Sequence, residues 1–404
     1  MRRDATEVAI IGGGPAGLLL GHLLHRAGVD TVILERRSRA HVLARIRAGV
    51  LEPSAVDFLR REGPPTRIDS LGRPLDTVHF AWQGSAGVAL DIRRWTGQCM
   101  TAYGQTFLTE DLYAARDATG VPVVDEVEDV AICDVEGGAP FVTYRRAGVA
   151  HRLECRAVAG CDGAQGVAAK TIPAAVSKTF ERAFPFAWVG IMVERPPINA
   201  LTYIRHSEGF ALASQRTPML SRYYVQAPLS DRIEDWPDTR FWETFVRRAP
   251  AEVVDRLQMG PSIEKSISPL RSRVIEPLRW GRLFLAGDAG HIVPPTGAKG
   301  LNLAISDVQR LSRALISWLR EASTVLIDSY SQDALRRIWA AESLSWRLTK
   351  FLHAFPDETA FDERIRLAEF DLLLHCETAR AALAYEYAGL PFSQIETRRI
   401  SDCP

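Results

Sequence analysis

The sequence predicts an α/β protein: a parallel βαβ unit at the N-terminus, an inserted antiparallel sheet and a helical C-terminal region. Three observations carry this. A short apolar run ends in a glycine turn and continues into leucines at helical spacing within residues 7–27. Apolar and aromatic runs separated by turn residues fill 184–229. Beyond Gly300 the pattern is helical almost to the end.

Taken in order, 7–11 reads as a buried strand, 12–17 as a tight turn and 15–27 as a helix that Gly28 stops, before a second strand at 31–34. Weaker strands are expected at 77–80 and 140–144, a helix at 110–118, and a strand with a glycine turn at 158–163. The runs 187–193, 210–213 and 222–228 form the inserted sheet. A buried strand returns at 282–286, and helices are expected over 303–319, 328–348 and 361–388. At 404 residues the chain exceeds what one core usually organises. The expected division is a first part of the nucleotide-binding domain at 1–178, a substrate-binding sheet at 179–268, a second part of the first domain at 269–349, and a helical interface region at 350–404.

Composition narrows the partners. Lys plus Arg and Asp plus Glu each total 49, so no global field draws the chain to nucleic acid or anionic lipid. The expected partner is a small molecule. Cys99, Cys133, Cys155, Cys161, Cys376 and Cys403 show no Cys-x-x-Cys spacing, which fits reduced thiols better than disulfides or a metal site. No apolar run reaches the roughly 20 residues needed to cross a bilayer, and the cytoplasm is the expected location.

Gly12-x-Gly14-x-x-Gly17 stands between a strand and a helix, with Glu35 at the end of the next strand. In such a Rossmann-like unit the first glycine permits the turn, the second lets a diphosphate approach the backbone, and the third packs helix on strand. Glu35 can accept hydrogen bonds from a ribose. A second Gly/Pro-rich block, 287–302, lies between a buried strand and a helix and is expected to form another cofactor wall. Asp288 would meet a ribityl chain, and the backbone at Leu301 and Asn302, at a helix start, would face the electron-rich edge of an isoalloxazine. Ser214, Gln215 and Arg216, with Arg222 and Tyr224 nearby, read by themselves either as a satisfied structural cluster or as an arginine fork holding a carboxylate.

These segments, together with 45–50, 103–106, 160–163 and 387–391, resemble the class A flavoprotein monooxygenases, and within them the members acting on 4-hydroxybenzoate. The resemblance runs along nearly the whole chain. It implies FAD, contacted by Glu35, Arg45, Ile46, Arg47, Ala48, Gly49, Val50, Gln105, Asp288 and Leu301, with Asp162 near both the flavin and the nicotinamide route. It implies that Arg216 pairs with an aromatic carboxylate, that Ser214 and Tyr224 add hydrogen bonds, and that Arg222 supports flavin movement. Tyr203 and Tyr387 would bind the substrate hydroxyl and relay its proton, with the Pro295 carbonyl facing the same hydroxyl. The implied reaction is hydroxylation at C3, by a flavin C4a-hydroperoxide, with NADPH or NADH and O2; a phenolate is needed because a neutral phenol, of pKa about 10, is a poor nucleophile. A pocket lined by Val50, Trp188, Leu201 and Leu212 suits the unsubstituted ring. The alternatives are 3-amino-4-hydroxybenzoate or 3,4-dihydroxybenzoate as substrate, and a flavin redox sensor that hydroxylates nothing. A homodimer is also implied.

The chain departs from the pattern twice. Where the family's relay ends in a histidine, Arg73 stands, and an arginine cannot give up its proton. Ala164, Gln165 and Ala169 occupy a stretch where the family carries a histidine and an arginine for the nicotinamide nucleotide. Arg47 and Arg271 match, and Arg36, Arg37 and Arg39 form either a solvated surface or a receiver for a 2′-phosphate.

Overall fold

The computed structural model describes residues 2–44, 49–83, 87–198 and 201–389. A five-stranded sheet has the order Arg279–Trp280, Leu283–Leu285, Ala157–Gly160, Val8–Ile11 and Thr31–Leu34, parallel except for the first pair. Val8–Ile11 lies inside it, between Ala157–Gly160 and Thr31–Leu34, with every residue buried, as expected for a strand covered on both faces. Helix Pro15–Arg26 starts with proline in its first turn and ends before Gly28, which adopts a φ of +69°. Helices Gly300–Glu321 and Val325–Leu352 complete this domain, and their buried stripes join its core.

An eight-stranded sheet carries the second half of the architecture. Its order is His291–Ile292, Ser262–Glu276, Lys178–Val193, Leu220–Pro228, Gly209–Thr217, Leu201–His206, Thr77–Trp82 and Val88–Asp91. The sheet is therefore not confined to 179–268. Edge strand Leu201–His206 finds its partner in Thr77–Trp82, parallel and far upstream, because an unpaired edge would leave a row of backbone groups without partners. Strand Ser262–Glu276 and helix Asp238–Arg248 were not foreseen from the pattern. Neither was the small sheet in which Arg2–Ala5 runs parallel to Val149–Glu154, beside Phe141–Arg146 and Glu128–Cys133.

One face of the large sheet, with Ala211, Ala213, Tyr223 and Val225, packs on Phe241, Trp242 and Phe245 of helix Asp238–Arg248. The other face, with Trp188, Leu201, Tyr203, Phe210 and Leu212, packs toward Leu344, Leu348, Phe351, Phe370 and Tyr387 of the C-terminal helices. The expected helical stretch 361–388 is two helices, Ala360–His375 and Glu377–Ala388. Cys376 breaks it with an extended backbone, φ −114° and ψ 110°. Arg380 satisfies the exposed end by donating to the Leu373 and Leu374 carbonyls, each at 2.7 Å.

Candidate active site

The glycine turn separates what the chain needs from what a ligand needs. A Cβ at Gly12 would stand 2.2 Å from the Cys161 carbonyl oxygen, and one at Gly17 would stand 2.0 Å from the Gly12 carbonyl oxygen. Protein packing therefore requires both glycines. At Gly14 a Cβ would meet nothing within 4 Å. That open space lies over a helix N-terminus whose first N–H groups have no intrahelical acceptors, which is the form a diphosphate needs. The Glu35 carboxylate accepts from Gly13 N at 2.7 Å and Arg37 N at 2.8 Å, so it shapes the loop and keeps lone pairs for a ribose. One oxygen of Asp162 accepts from Ala168 N at 2.9 Å; the other is buried with no partner among the described residues, and burial pushes the carboxyl pKa up. These features fit FAD.

The second cofactor segment is held against the first. Arg45, Ile46, Arg47 and Ala48 lie outside the described residues. Gly49 must be a glycine because a Cβ would come within 2.2 Å of the Tyr103 carbonyl, just before Gln105 opens helix Gln105–Ala118. The side chain of Asn302 donates to the Val50 and Ala298 carbonyls, both at 2.9 Å, and accepts from Glu52 N at 2.8 Å. Leu301 sits beside it in the first turn of helix Gly300–Glu321. Asp288 occupies a short 3-10 turn, and Asp307 clamps that turn by accepting from Gly287 N at 2.9 Å and pairing with His291 Nε2 at 2.6 Å. Burial opposes charge on His291, but Asp307 outweighs it and the imidazole pKa is raised.

Strand alternation assembles the substrate face. Leu201 pairs with Ser214, Tyr203 with Leu212, Ser214 with Arg222, and Tyr224 with both Leu212 and Gly190. Directly paired residues share a face, so Trp188, Tyr203, Leu212, Ser214, Arg222 and Tyr224 line one side of the sheet. Arg216 continues that side two residues beyond Ser214. Gln215 alternates to the other, with Ala211 and Ala213, so the structure does not bring it together with them. Arg216 Nε is buried with no partner among the described residues; burial pushes the guanidinium pKa down, with the neighbouring Tyr224 acting the other way. A half-buried guanidinium whose Nε is left over beside Tyr224 is suited to an anionic ligand. Arg222 is already engaged, donating to Glu264 at 2.6 Å and Ser266 at 3.0 Å.

At the opposite end, the Tyr203 and Tyr387 hydroxyls are 2.8 Å apart, both fully buried. Tyr203 also donates to the Thr296 carbonyl at 2.6 Å, and since a carbonyl only accepts, Tyr387 is the donor within the pair. The Pro295 carbonyl, expected to face the substrate hydroxyl, lies in the same turn. Its oxygen accepts from Ala298 N at 3.0 Å, which closes the turn, and keeps a second lone pair. Burial pushes both tyrosine pKa values well up, so both remain protonated near neutrality.

Lys299 ties this end together, a role invisible in the sequence because its partners are remote. It donates to Glu52 Oε1 at 2.7 Å and to the Tyr387 carbonyl at 2.8 Å, while Arg337 takes the other Glu52 oxygen. Arg73 is exposed on strand Arg73–Leu75. Arg36 is exposed beyond Glu35, and Arg271 faces Glu181 at 3.5 Å. The pattern-based site thus falls into one cradle, one sheet face and a peripheral group of arginines.

The FAD binding domain family matches residues 5–345. The chain is 46% identical to p-hydroxybenzoate hydroxylase of Acinetobacter baylyi over 394 residues, which cover 97% of each. It is 28% identical to para-nitrophenol 4-monooxygenase of a Pseudomonas species, covering 81% of this chain and 82% of that one. The solved structure of p-nitrophenol 4-monooxygenase from Pseudomonas putida shares the fold, with a TM-score of 0.79 at 20% identity over 96% of this chain and 99% of that one. The cradle, the domain match and a likeness that extends from end to end place the chain in the family of FAD-dependent aromatic hydroxylases that includes p-hydroxybenzoate hydroxylase.

Proposed function

We propose that the chain hydroxylates 4-hydroxybenzoate at C3 to give 3,4-dihydroxybenzoate, using NAD(P)H and O2. The observation that carries this reading is the single sheet face with Arg216, its Nε left over, toward one end and the Tyr203–Tyr387 pair at the other. The name and near-complete coverage of the Acinetobacter relative support the same substrate. Bound FAD supplies the electrons from NAD(P)H and the oxygen atom from O2.

The chain's own residues do the rest. Arg216, Ser214 and Tyr224 hold the carboxylate, which fixes the ring along the sheet. Tyr203 accepts the hydrogen bond of the substrate hydroxyl; for the proton to leave, the Tyr203 hydroxyl turns from the Thr296 carbonyl to donate to Tyr387, whose own hydroxyl turns away to continue the path. The Thr296 carbonyl orients the Tyr203 hydroxyl, while Pro295 shapes the turn that presents it. With Arg73 where the family has a histidine, the relay ends at water or deprotonation is slower than in the family, which the stopped-flow rate of substrate deprotonation measures. Gly12, Gly14, Gly17, Glu35, Gly49, Val50, Gln105, Asp162, Arg222, Asp288, Leu301 and Asn302 form the FAD surface in this reading.

NADPH is the preferred reductant, received by Arg36 and its neighbours with Arg47 and Arg271; a kcat/KM that favours NADH would reverse this assignment. A cytoplasmic enzyme agrees with the charge balance, and no helix among the described residues is long and apolar enough to cross a membrane. A homodimer through region 350–404 is supported by an exposed apolar stripe on helix Ala360–His375. We keep the four-part division as a functional partition, with the cuts at 268 and 349 moved to the ends of strand Ser262–Glu276 and helix Val325–Leu352, which they would otherwise divide. The deciding experiment follows NADPH oxidation by the yellow holoenzyme with 4-hydroxybenzoate, 3-amino-4-hydroxybenzoate, 3,4-dihydroxybenzoate or no acid, and identifies products by mass spectrometry. One added oxygen on 4-hydroxybenzoate is expected. Turnover only with a substituted acid would reassign the substrate, and no stimulation by any acid would favour the sensor.

A further inference from the structure

Behind Trp188 stands a histidine that the proposed chemistry does not use. His353 closes helix Val325–Leu352 and is 0% exposed. Its Nδ1 lies 3.0 Å from the Thr349 carbonyl and its Nε2 lies 2.7 Å from Trp188 Nε1. A carbonyl can only accept and an indole N–H can only donate, so the imidazole is neutral, with its proton on Nδ1 and Nε2 bare. Burial agrees, pushing the His353 pKa down to about 3.

The ring is also held between aromatic plates. Its centroid lies 4.3 Å from that of Phe210 and 4.6 Å from that of Phe186, with interplanar angles of 22° and 3°. The next residue is stitched to the centre of the sheet: Gln226 Oε1 accepts from Ala354 N at 3.1 Å, and Gln226 Nε2 donates to the Ala354 carbonyl at 2.6 Å. Gln226 is the register partner of Trp188. Trp188 in turn stacks on Phe210 at 4.8 Å and tilts against Tyr224 at 5.1 Å, one register step along the sheet from the row that holds Tyr224, Leu212 and Tyr203. The indole N–H therefore has one polar partner among the described residues, His353, and its ring borders Tyr224 on the proposed substrate face.

We propose that His353 is a positioning residue that sets ring specificity: by accepting the Trp188 N–H it fixes the indole against Tyr224 as a wall of the substrate face and limits the room for ring substituents. The proposal rests on the aromatic-acid reading above. Without the acceptor, a buried N–H is left unpaired and the indole turns to find another partner. The wall then yields, which costs affinity for the small ring and relaxes rejection of the larger one.

The test titrates oxidised holoenzyme with 4-hydroxybenzoate and with 3-amino-4-hydroxybenzoate, following flavin fluorescence, so that binding is read without turnover. H353F should weaken 4-hydroxybenzoate by about tenfold and shrink the preference over the 3-amino acid several-fold. H353Q, whose amide oxygen reaches the place of Nε2, should restore most of both; H353N, which reaches only the place of Nδ1, should not. This pair decides the matter if H353F fails to fold. In a W188F background, H353F should add nothing further. Equal weakening of both acids, equal behaviour of H353Q and H353N, or additive effects with W188F would overturn the proposal. A wild type that binds neither acid overturns the functional reading, and this proposal with it; a wild type that binds both while H353F binds identically overturns this proposal alone.

Discussion

At Gly190 the missing side chain is what gives Tyr224 its place. A Cβ there would lie 2.7 Å and 2.8 Å from two carbons of the Tyr224 ring, too close for the ring to stay. Gly190→Ala should therefore turn Tyr224 away from Arg216 and raise the Kd for the aromatic acid by about tenfold, with FAD content unchanged; unchanged acid binding would show that Tyr224 takes no part. Arg216→Met removes the cation itself, and loss of a charge-assisted pair in a buried site should cost about 2–4 kcal/mol in carboxylate binding. The discriminating measurement compares 4-hydroxybenzoate with an uncharged phenol, since only the acid should lose affinity. Arg216 could be singled out in the sequence as an arginine near hydroxyl donors, but those residues alone read two ways, and the family resemblance made it a carboxylate ligand. Gln215 misled for a physical reason: three consecutive strand residues cannot share a face, and the register that assigns them exists only once the partners are known. His353 gave no signal, because a lone histidine acquires meaning only from the indole 165 positions away.

Among the elements, the Gly287–Ala289 turn and the helix after it carry the most consequence. Asp307, on helix Gly300–Glu321, meets Gly287 N and His291 Nε2 with one carboxylate oxygen, and Asp307→Asn keeps an acceptor there but loses the charge that balances His291. FAD should dissociate more readily from this variant, which the fluorescence of released flavin would report; retention equal to wild type would count against the clamp. On helix Val325–Leu352, Glu342 is 5% exposed, and burial raises its pKa from 4.5 to about 7, with Ser272 pulling the other way. Between those values the folded protein keeps a proton that the unfolded chain releases. Stability therefore falls as pH rises across that window, by about 3 kcal/mol in all at 1.36 kcal/mol per unit. Glu342→Gln should flatten this slope in urea denaturation at pH 5 and pH 8, and an unaltered slope would refute it. The long helices were legible from their apolar period. Strand Ser262–Glu276 was not, because most of its residues are only half-buried and its alternation is correspondingly faint. The break at Cys376 depends on Arg380 reaching back to two carbonyls, a tertiary event without a breaker residue to announce it.

At the scale of the molecule, the site exists only because distant parts of the chain meet. Tyr203 comes from the sheet, Thr296 from the cofactor loop and Tyr387 from the last described helix, with Lys299 and Glu52 locking that helix to the loop. The βαβ start was legible because its contacts are local; the joining of 77–91 to the sheet was not, because strand pairing across such a separation leaves no local trace. The same C-terminal region also presents a surface that the monomer does not use. On helix Ala360–His375, Arg366 and Phe370 are buried, whereas Phe361, Ile365 and Leu372 are 72%, 47% and 56% exposed. Exposed Ala368 falls between them, so the steps are four, three and four residues, which is the seam spacing of paired helices. Single exposed apolar residues are ordinary, but a continuous stripe is the mark of an interface. In the homodimer reading, Phe361→Glu with Ile365→Glu places charges on that seam and should convert the protein to monomers in sedimentation velocity. The buried side of the helix is untouched, so the flavin spectrum and aromatic-acid binding should persist in the monomer. A wild type that sediments as a monomer, or a double variant that still dimerises, would place the contact elsewhere; loss of flavin together with dimerisation would mean that the helix supports the FAD domain from within rather than joining two copies.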